Sequence, residues 1–183
     1  MRIIGGQFKG RKFNPPSGIP ARPTTDVAKE GLFNTLENMM DLDGIKTCDL
    51  FGGTGSISYE LASRGATDLT LIERDYTSIA FMRKTVKELG MQSNFKIVKS
   101  DVFRFMHRNT ESYDFIFAGP PYALENIDDI PNLIFSQNML NPRGIFVLEH
   151  TPRNNYTQHP FFLRTKNYGT TVFSFFQAPE LIN

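Results

Sequence analysis

The segment Gly119-Pro120-Pro121-Tyr122 contains the residue types in this chain that are best suited to chemistry. It follows a run of apolar residues at 115–117, which has the composition of a buried strand. Because proline has no N–H for a sheet, the strand must end here and the chain must leave the sheet at its carboxyl edge. Carbonyl groups in such a turn can accept hydrogens from an amine, and a tyrosine can stack on a flat ring. The segment therefore predicts a ligand-binding position at the carboxyl edge of the sheet.

Acidic residues and glycines follow three other predicted strands. The segment Asp49-Leu50-Phe51-Gly52-Gly53-Thr54-Gly55 has glycines that allow a tight turn and let a ligand approach the backbone. Glu73 ends the next strand, where a carboxylate can accept hydrogen bonds from ribose hydroxyls. Asp101 and Val102 follow the third strand, where a carboxylate and an N–H can bind an adenine edge. Each acid alone is better explained as a helix cap or a solvated turn, but together they indicate a cleft for a nucleotide-like cofactor.

The sequence disfavours several other kinds of site. A dinucleotide fingerprint needs glycine at position 58, where this chain has serine, and no Gly-Lys-Ser/Thr of a P-loop follows the glycines. His107, His150 and His159 are too far apart in the chain to predict a metal site. Cys48 is the single cysteine and cannot form an internal disulfide, so we expect it to be a small buried apolar side chain.

The elements that must position these residues alternate between strands and helices from Lys46 onward. Buried apolar runs separated by amphipathic helices predict a parallel sheet that is covered on both faces. After Glu149, two extended segments around a turn at 166–169 predict an antiparallel hairpin that completes the sheet. The predicted strands are 47–51, 69–73, 95–99, 115–118, 145–149, 161–165 and 170–176, and the predicted helices are 57–64, 76–89, 102–107 and 127–137.

Residues 1–23 form a different kind of segment. Two short extended pieces on either side of Gly5-Gly6 predict a small β-hairpin arm, which is followed by a proline-rich loop. The arm is too short to have a core of its own. A helix capped by Thr24 or Thr25 is predicted to follow, with an apolar stripe that docks on the main body.

The composition fits one globular domain with a small appendage, since the chain has 183 residues, of which 40% are hydrophobic. The net charge is +1, yet residues 1–23 contain basic residues and no acidic ones. A nucleic-acid contact and a solvated tail both explain such a patch. The first residues lack the apolar region of a signal peptide and no segment has membrane-spanning length, so we expect a cytoplasmic protein without a membrane partner. The basic residues are Arg2, Lys9, Arg11, Lys12 and Arg22.

Six sequence blocks resemble one enzyme family. They are similar to the RsmD family, bacterial enzymes that use S-adenosylmethionine to methylate a guanine N2 of 16S ribosomal RNA. The blocks span nearly the whole chain, and the N-terminal one is more specific than motifs that many methyltransferases share. The resemblance implies an α/β fold of the class I methyltransferase (Rossmann-like) type, with a seven-stranded, mostly parallel sheet, a final antiparallel hairpin and helices on both faces. The blocks are Arg2-Ile3-Ile4-Gly5-Gly6 with Gly10-Arg11, Arg22-Pro23-Thr24-Thr25-Asp26, Gly31-Leu32-Phe33-Asn34, Asp49-Leu50-Phe51, Ser63-Arg64-Gly65-Ala66 and Pro120-Pro121-Tyr122.

The resemblance also implies roles for domains and residues. Residues 1–23 would be an RNA-binding extension and residues 24–183 the methyltransferase domain, acting as a monomer on 16S rRNA or the small ribosomal subunit, without a metal. The implied cofactor contacts are Asp49, Phe51, Gly53, Gly55, Glu73, Arg74, Asp101 and Val102. The implied catalytic residues are Gly119, Pro120, Pro121 and Tyr122, and the implied RNA contacts are Arg2, Lys9, Arg11, Lys12 and Arg22.

Gly119 departs from the family pattern, which has an acidic residue before the two prolines. A carboxylate there would accept amine hydrogens and stabilise the positive charge that grows on nitrogen, so glycine is expected to lower the rate by about 10²–10³. Asp114 starts the same strand and lies about 16 Å from the cleft, too far to substitute. Glu149 ends the neighbouring strand, but we expect it to bond to loop backbone. Asp128 and Asp129 would need a loop movement to reach the cleft.

Three functions remain open from the sequence. The leading hypothesis is an RNA guanine-N2 methyltransferase that is slowed by Gly119. A protein that binds cofactor and RNA without catalysis is supported by Gly119 alone. A DNA adenine-N6 methyltransferase uses similar Pro-Pro-aromatic chemistry, but it typically carries a target-recognition region, for which this chain has no room.

Overall fold

Seven strands and five helices make up the part of the chain that the computed structural model describes, residues 1–181. The strands are β1 Lys46–Leu50, β2 Asp68–Glu73, β3 Phe95–Lys99, β4 Tyr113–Ala118, β5 Leu140–His150, β6 Phe162–Tyr168 and β7 Thr171–Gln177, and the helices are α1 Asp26–Met39, α2 Ser56–Ser63, α3 Tyr76–Glu88, α4 Val102–Arg108 and α5 Asp129–Ser136. The sheet order is β3-β2-β1-β4-β5-β7-β6, in which β1 to β5 are parallel and β7 is antiparallel to both of its neighbours. This topology confirms the predicted sheet and its final hairpin.

Two strand boundaries differ from the sequence prediction by three residues or more. β5 begins at Leu140 rather than at residue 145, because Leu140 pairs with Tyr113 of β4 ahead of a register irregularity. Arg143 within that part of β5 has a positive φ of 64°. β6 runs through Tyr168, so the predicted turn at 166–169 is too long. The actual turn is confined to Gly169 and Thr170, where Gly169 has a φ of 64°. Two-residue hairpin turns need such positive φ values, which glycine adopts readily.

The order of the strands reverses at β1. From there β2 and β3 lie on one side, and β4 and β5 lie on the other. A crevice opens at the carboxyl ends of the strands at such a switch point. The register pairs Ala118 with Leu50 on one side and with Leu148 on the other, so Gly119 comes directly beside Glu149.

Alternate residues of β4 send their side chains to opposite faces of the sheet. Phe115 and Phe117 lie in the core that includes residues of α1, α2 and α3, whereas Ile116 and Ala118 lie in the core that includes residues of α4 and α5. Both faces of the sheet are therefore covered, as the apolar runs predict. Within residues 1–181, no helix combines the length and apolar character that crossing a membrane requires.

α1 starts where the sequence predicts. The Thr25 hydroxyl accepts a hydrogen bond from the Ala28 N–H at 3.2 Å, which is the geometry of an N-cap. Ala28, Leu32 and Leu36 lie on one side of the helix and are almost completely buried. This apolar stripe docks α1 against the sheet, so the segment before it is held close to the domain.

The N-terminal arm is closed by one bridge rather than by a regular hairpin. Arg2 and Lys12 form an isolated antiparallel bridge, and the Ile3 N–H donates to the Arg11 carbonyl at 2.9 Å. The connection between the two pieces is a series of turns and is longer than the predicted glycine turn. Ile3 and Phe13 are only 2% and 6% exposed and belong to the main core. The arm therefore packs as part of the domain.

A buried carboxylate fastens the arm to α2. Glu60 is completely buried, and its two oxygens accept hydrogen bonds from the N–H groups of Ile4 and Gly5 at 2.8 and 2.9 Å. The Arg64 Nε donates to the same carboxylate at 2.9 Å, and the Lys29 Nζ lies 3.6 Å from it. Burial lowers the pKa of Lys29, although the neighbouring Glu60 opposes that shift. The position of the arm thus depends on an ion cluster inside the protein.

Glu60→Gln should lower the free energy of unfolding by about 3 kcal/mol, because it leaves buried Lys29 without its charge partner and removes an acceptor from the arm. Urea unfolding measures the loss, and hydrogen exchange of the two arm amides should accelerate. Glu37→Gln is the matched control, since Glu37 binds the same Arg64 at 2.8 Å but is half exposed. Its loss should cost less than about 1 kcal/mol. Equal losses in the two variants would contradict the role given to Glu60.

Candidate active site

A cavity of about 900 Å³ lies along the carboxyl ends of β1 to β5. The proline-rich loop at 20–24 contributes to its lining. The cavity brings together residues that follow five different strands, at the edge where folds of this topology bind ligands. The predicted site residues that line it are Asp49, Phe51, Gly53, Glu73, Arg74, Asp101, Val102, Gly119, Pro120, Pro121, Tyr122 and Arg22.

The turn after β1 has a left-handed backbone that explains its glycines. Gly53 and Gly55 have φ values of 59° and 83°, and Phe51 also has a positive φ, of 63°. An added Cβ at Gly55 would lie 2.3 Å from the Tyr59 hydroxyl, and one at Gly53 would lie 2.9 Å from the Cβ of Ala21. Gly53 therefore lets the proline-rich loop approach the cavity. Gly55 precedes α2 and lies outside the lining.

Asp49 presents a buried carboxylate to the cavity. Only 2% of the residue is exposed, and its Oδ2 accepts a hydrogen bond from the Ser58 hydroxyl at 2.7 Å. Burial raises the pKa of Asp49 well above its usual range, and the nearby Glu73 carboxylate adds to the shift. Ser58 holds the position at which a dinucleotide fingerprint needs glycine, and here it orients Asp49. A cationic group that enters the cavity would favour the charged form of this carboxylate.

Glu73 braces two turns that line the cavity. Its Oε2 accepts a hydrogen bond from the Gly53 N–H at 2.8 Å, and its Oε1 accepts from the N–H groups of Arg74 and Asp75 at 2.9 and 3.1 Å. A carboxylate offers about four acceptor positions, so these bonds fix its orientation and leave about one position for a ligand hydroxyl. The side chain that the sequence analysis assigns to ribose therefore also determines the shape of the cavity.

Asp101 caps α4 and also lines the cavity. Its Oδ1 accepts a hydrogen bond from the Arg104 N–H at 3.0 Å, so the helix-cap interpretation is correct for this acid. Val102 beside it is 5% exposed. Phe103 is half-buried and adds apolar surface to the lining, although the sequence analysis did not single it out. Sequence reasoning could have found it by extending the site one residue past the predicted adenine contact.

Glu149 lies beside Gly119, and its contacts differ from the expectation. The side chain is 5% exposed, and its Oε2 accepts hydrogen bonds from the Arg22 guanidinium and from the Tyr122 hydroxyl, the latter at 3.2 Å. The expected bond to loop backbone is therefore wrong, since both partners recorded within residues 1–181 are side chains. The parallel pairing of β4 with β5 was the signal that could have placed Glu149 in the site.

Arg22 reaches into the cavity and covers the ring of Tyr122. Its guanidinium carbon lies 3.3 Å from the ring centroid, which is a close cation–π contact. The Tyr122 hydroxyl also lies 3.3 Å from the Thr171 hydroxyl of β7. Burial raises the pKa of Tyr122, so the phenol keeps its proton at neutral pH, and its O–H donates a hydrogen bond to Glu149. The ring that the sequence analysis assigns to base stacking is thus already covered on one face by an arginine of the same chain.

The other four basic residues of the N-terminal segment lie outside the cavity lining. Arg2 pairs with Asp26 at 2.7 Å, and Arg11 donates to the backbone carbonyl at the end of α3 at 3.1 Å. Lys9 and Lys12 are exposed and make no ion pair within residues 1–181. The two lysines therefore remain accessible to a polyanion, whereas Arg22 is engaged inside the cleft.

The other acids considered as substitutes at position 119 lie outside the lining. Asp114 accepts a hydrogen bond from the Lys46 N–H at 2.9 Å, and Asp128 accepts one from the Tyr156 hydroxyl at 2.8 Å. Across residues 1–181, no group of three or more His, Cys, Asp or Glu side chains is arranged to hold a metal ion. Glu149 was not among the predicted site residues, yet it is the acid that the fold places beside Gly119.

The chain matches known proteins in sequence over most of its length. A family model described as Conserved hypothetical protein 95 matches residues 1–177. Over 162 residues the chain is 31% identical to the Ribosomal RNA small subunit methyltransferase D of Escherichia coli (strain K12), an alignment that covers 87% of this chain and 79% of that protein.

Solved structures share the fold. The putative methyltransferase yhhF from Escherichia coli aligns over 99% of both chains, with a TM-score of 0.86 and 28% identity. The T. thermophilus 16S rRNA N2 methyltransferase RsmC, in complex with AdoMet and guanosine, aligns over 88% of this chain and 45% of that chain, with a TM-score of 0.68 and 22% identity. The fold is therefore that of the class I methyltransferases. With the family model matched along nearly its whole length, the chain belongs to the RsmD family of ribosomal RNA methyltransferases.

Proposed function

We propose that this protein uses S-adenosylmethionine to methylate the N2 amine of a guanine in 16S ribosomal RNA. The proposal rests on one observation: the same continuous cavity is lined by Asp49, Glu73 and Asp101 and by the Pro-Pro-Tyr turn. The relatives support the substrate, because one is named a small-subunit rRNA methyltransferase and RsmC is described with both AdoMet and guanosine. The monomeric state and the cytoplasmic location remain predictions from the sequence.

The residues of the cavity fit S-adenosylmethionine. When bound, this cofactor supplies an electrophilic methyl group on a positively charged sulfur. Asp49 offers a buried carboxylate to a cationic group, and Gly53 leaves room for the proline-rich loop that lines the same cavity. Glu73 would accept a hydrogen bond from a ribose hydroxyl, and Asp101 with Val102 would bind the adenine edge. These assignments account for the acids and the glycines at three strand ends.

The Pro-Pro-Tyr turn would hold the guanine. The N2 lone pair is delocalised into the ring, so the amine must be turned until that lone pair faces the methyl group. A turn carbonyl can accept one amine hydrogen, and a second acceptor must take the other to stabilise the positive charge that grows on nitrogen. Gly119 contributes no side chain to this task. If no other side chain supplied the second acceptor, we would expect the rate to be lower by about 10²–10³.

Methyl transfer from labelled S-adenosylmethionine tests the substrate. We expect label in the 16S rRNA of small ribosomal subunits, recovered as N2-methylguanosine by nuclease digestion and mass spectrometry. Duplex DNA offered in parallel should stay unlabelled. Label in N6-methyladenine of the DNA would favour the DNA methyltransferase instead, and binding of cofactor and RNA without transfer would favour a non-catalytic protein.

Cofactor binding should release protons, because the positive charge of S-adenosylmethionine lowers the raised pKa of Asp49. Affinity should therefore increase as the pH rises and level off once the free carboxyl is ionised. Calorimetry in buffers of different ionisation enthalpy measures the protons released. Asp49→Asn should abolish the release and weaken binding by about tenfold or more. Asp129→Asn, outside the cavity, should behave like the wild type, and a wild type that releases no protons would contradict the assignment.

Lys9 and Lys12 should each contribute to RNA affinity through phosphate contacts. Each alanine substitution should reduce the slope of log K against log salt by about 0.7, the value for one contact to a single strand. Filter binding of a 16S rRNA fragment at several salt concentrations measures the slope. Lys96→Ala removes an exposed lysine of β3 and should leave the slope unchanged. If the Lys9 and Lys12 variants also keep the wild-type slope, the two lysines are solvated surface charges without a role in RNA binding.

A further inference from the structure

We propose that Glu149 accepts a hydrogen from the guanine amine and thereby supplies the acceptor that Gly119 lacks. The proposal rests on the proposed function and assigns a side chain on β5 to the task that the family pattern gives to the residue before the prolines. It reverses one expectation from the sequence, since the site would then contain a carboxylate acceptor despite Gly119.

The sheet places Glu149 where the side chain of residue 119 would point. β4 and β5 are parallel neighbours, and the pairing of Ala118 with Leu148 puts the next residues side by side. A Cβ added to Gly119 would lie 3.9 Å from the Glu149 Oε1. Both residues line the cavity together with Tyr122. The carboxylate of Glu149 therefore reaches the space left by the glycine.

The two carboxylate oxygens of Glu149 differ in their hydrogen bonding. Oε2 accepts hydrogen bonds from Arg22 and Tyr122, which fix the orientation of the carboxylate. The hydrogen bonds and the ion pair of Glu149 within residues 1–181 all end on Oε2, and none ends on Oε1. A carboxylate that is held at one oxygen presents the other in a defined direction, so no reorganisation is needed when an amine arrives. Oε1 is therefore a preorganised acceptor facing the target pocket.

The chemistry needs an acceptor rather than a strong base. The N2 lone pair forms the bond to the methyl carbon while the carbon–sulfur bond breaks and its electron pair stays on sulfur. The nitrogen becomes positively charged and then loses one proton to water in the open cleft. A hydrogen bond from the amine to Oε1 strengthens as that charge develops, so it stabilises the transition state more than the bound substrate.

The same geometry gives a reason for glycine at position 119. A carboxylate at 119 would put a second negative charge close to Oε1, and the two like charges would repel each other. The added Cβ would also lie 3.1 Å from a ring carbon of Phe117, so that ring would have to shift. In this chain, Gly119→Asp should therefore leave kcat unchanged or lower it, whereas the sequence alone predicts a gain.

Glu149→Gln is the informative variant because it keeps the size of the side chain. Arg22 and Tyr122 both donate at the Oε2 position, so they draw the amide oxygen there and leave the NH₂ group at the Oε1 position. The acceptor is thereby replaced by a donor. We expect kcat on small ribosomal subunits to fall by about 10²-fold, because the lost contact strengthens in the transition state. KM for the subunits should rise by no more than about tenfold, and the Kd of S-adenosylmethionine should stay within about twofold of the wild type.

The double variant Gly119→Asp/Glu149→Gln tests whether a carboxylate at position 119 can replace the lost carboxylate of Glu149. The added carboxylate now meets a neutral neighbour and can serve as the acceptor, so kcat should recover by about tenfold or more relative to Glu149→Gln. Glu125→Gln changes an exposed carboxylate of the following loop and should leave kcat unchanged. Tyr122→Phe removes one of the two donors to Oε2 while it keeps the ring, and should lower kcat by about three- to tenfold.

A binding comparison without cofactor tests the contact directly. Guanosine monophosphate and inosine monophosphate differ only in the 2-amino group, so their Kd values, measured by NMR titration of the apoprotein, report the acceptor. The wild type should prefer the guanine nucleotide by about tenfold, as expected for a hydrogen bond to a charged group. Glu149→Gln should reduce the preference to less than about twofold.

The results separate this proposal from the proposed function. If the wild type forms N2-methylguanosine but Glu149→Gln retains wild-type kcat and nucleotide preference, the role of Glu149 is overturned. If Gly119→Asp alone raises kcat, the acceptor was missing and the proposal is likewise wrong. If the wild type methylates no guanine, the proposed function fails, and the nucleotide comparison still decides whether Glu149 recognises the amine.

Discussion

The buried carboxylate of Glu60 is the interaction on which the form of the cleft depends. It binds the arm through Ile4 and Gly5, and it lies beside Lys29 of α1. Both ends of the segment that contains the proline-rich loop are therefore held at α2. α2 itself follows the glycine turn that lines the cavity after β1. One ion cluster thus fixes the loop that carries Arg22 relative to the turn that follows Asp49.

Such a cluster holds its position only when every member is paired. A buried charge that loses its partner is costly, whereas a fully satisfied network defines one arrangement. The acids of the cavity are also held in defined positions, because protein groups orient each of them. Ser58 binds Asp49, backbone N–H groups bind Glu73, the start of α4 binds Asp101, and Arg22 with Tyr122 binds Glu149. A ligand therefore meets acceptors that are already directed.

The fold could be predicted largely from local patterns. The cap at Thr25, the acid at the start of α4 and the apolar runs of the central strands depend on residues close in sequence, so their roles are visible there. The contacts of Glu149 depend instead on which strands are neighbours and on a loop that precedes it by 127 residues. The shortened hairpin turn depends on the backbone angle of one glycine, Gly169. Local composition therefore predicts neither the contacts of Glu149 nor the length of the hairpin turn.

The sequence separations of these contacts also determine the order in which the contacts can form while the chain is synthesised. A chain emerges from the ribosome N-terminus first, and contacts between distant residues form late. The arm is made first, but Glu60 follows Ile4 by 56 residues, so the basic arm leaves the ribosome before the helix that anchors it. The cavity residues that follow β1, β2 and β3 have all been made once Phe103 is added, whereas Tyr122 receives its last contact from Thr171. The nascent chain therefore holds the residues proposed to bind the cofactor well before it can close the pocket proposed for the RNA base.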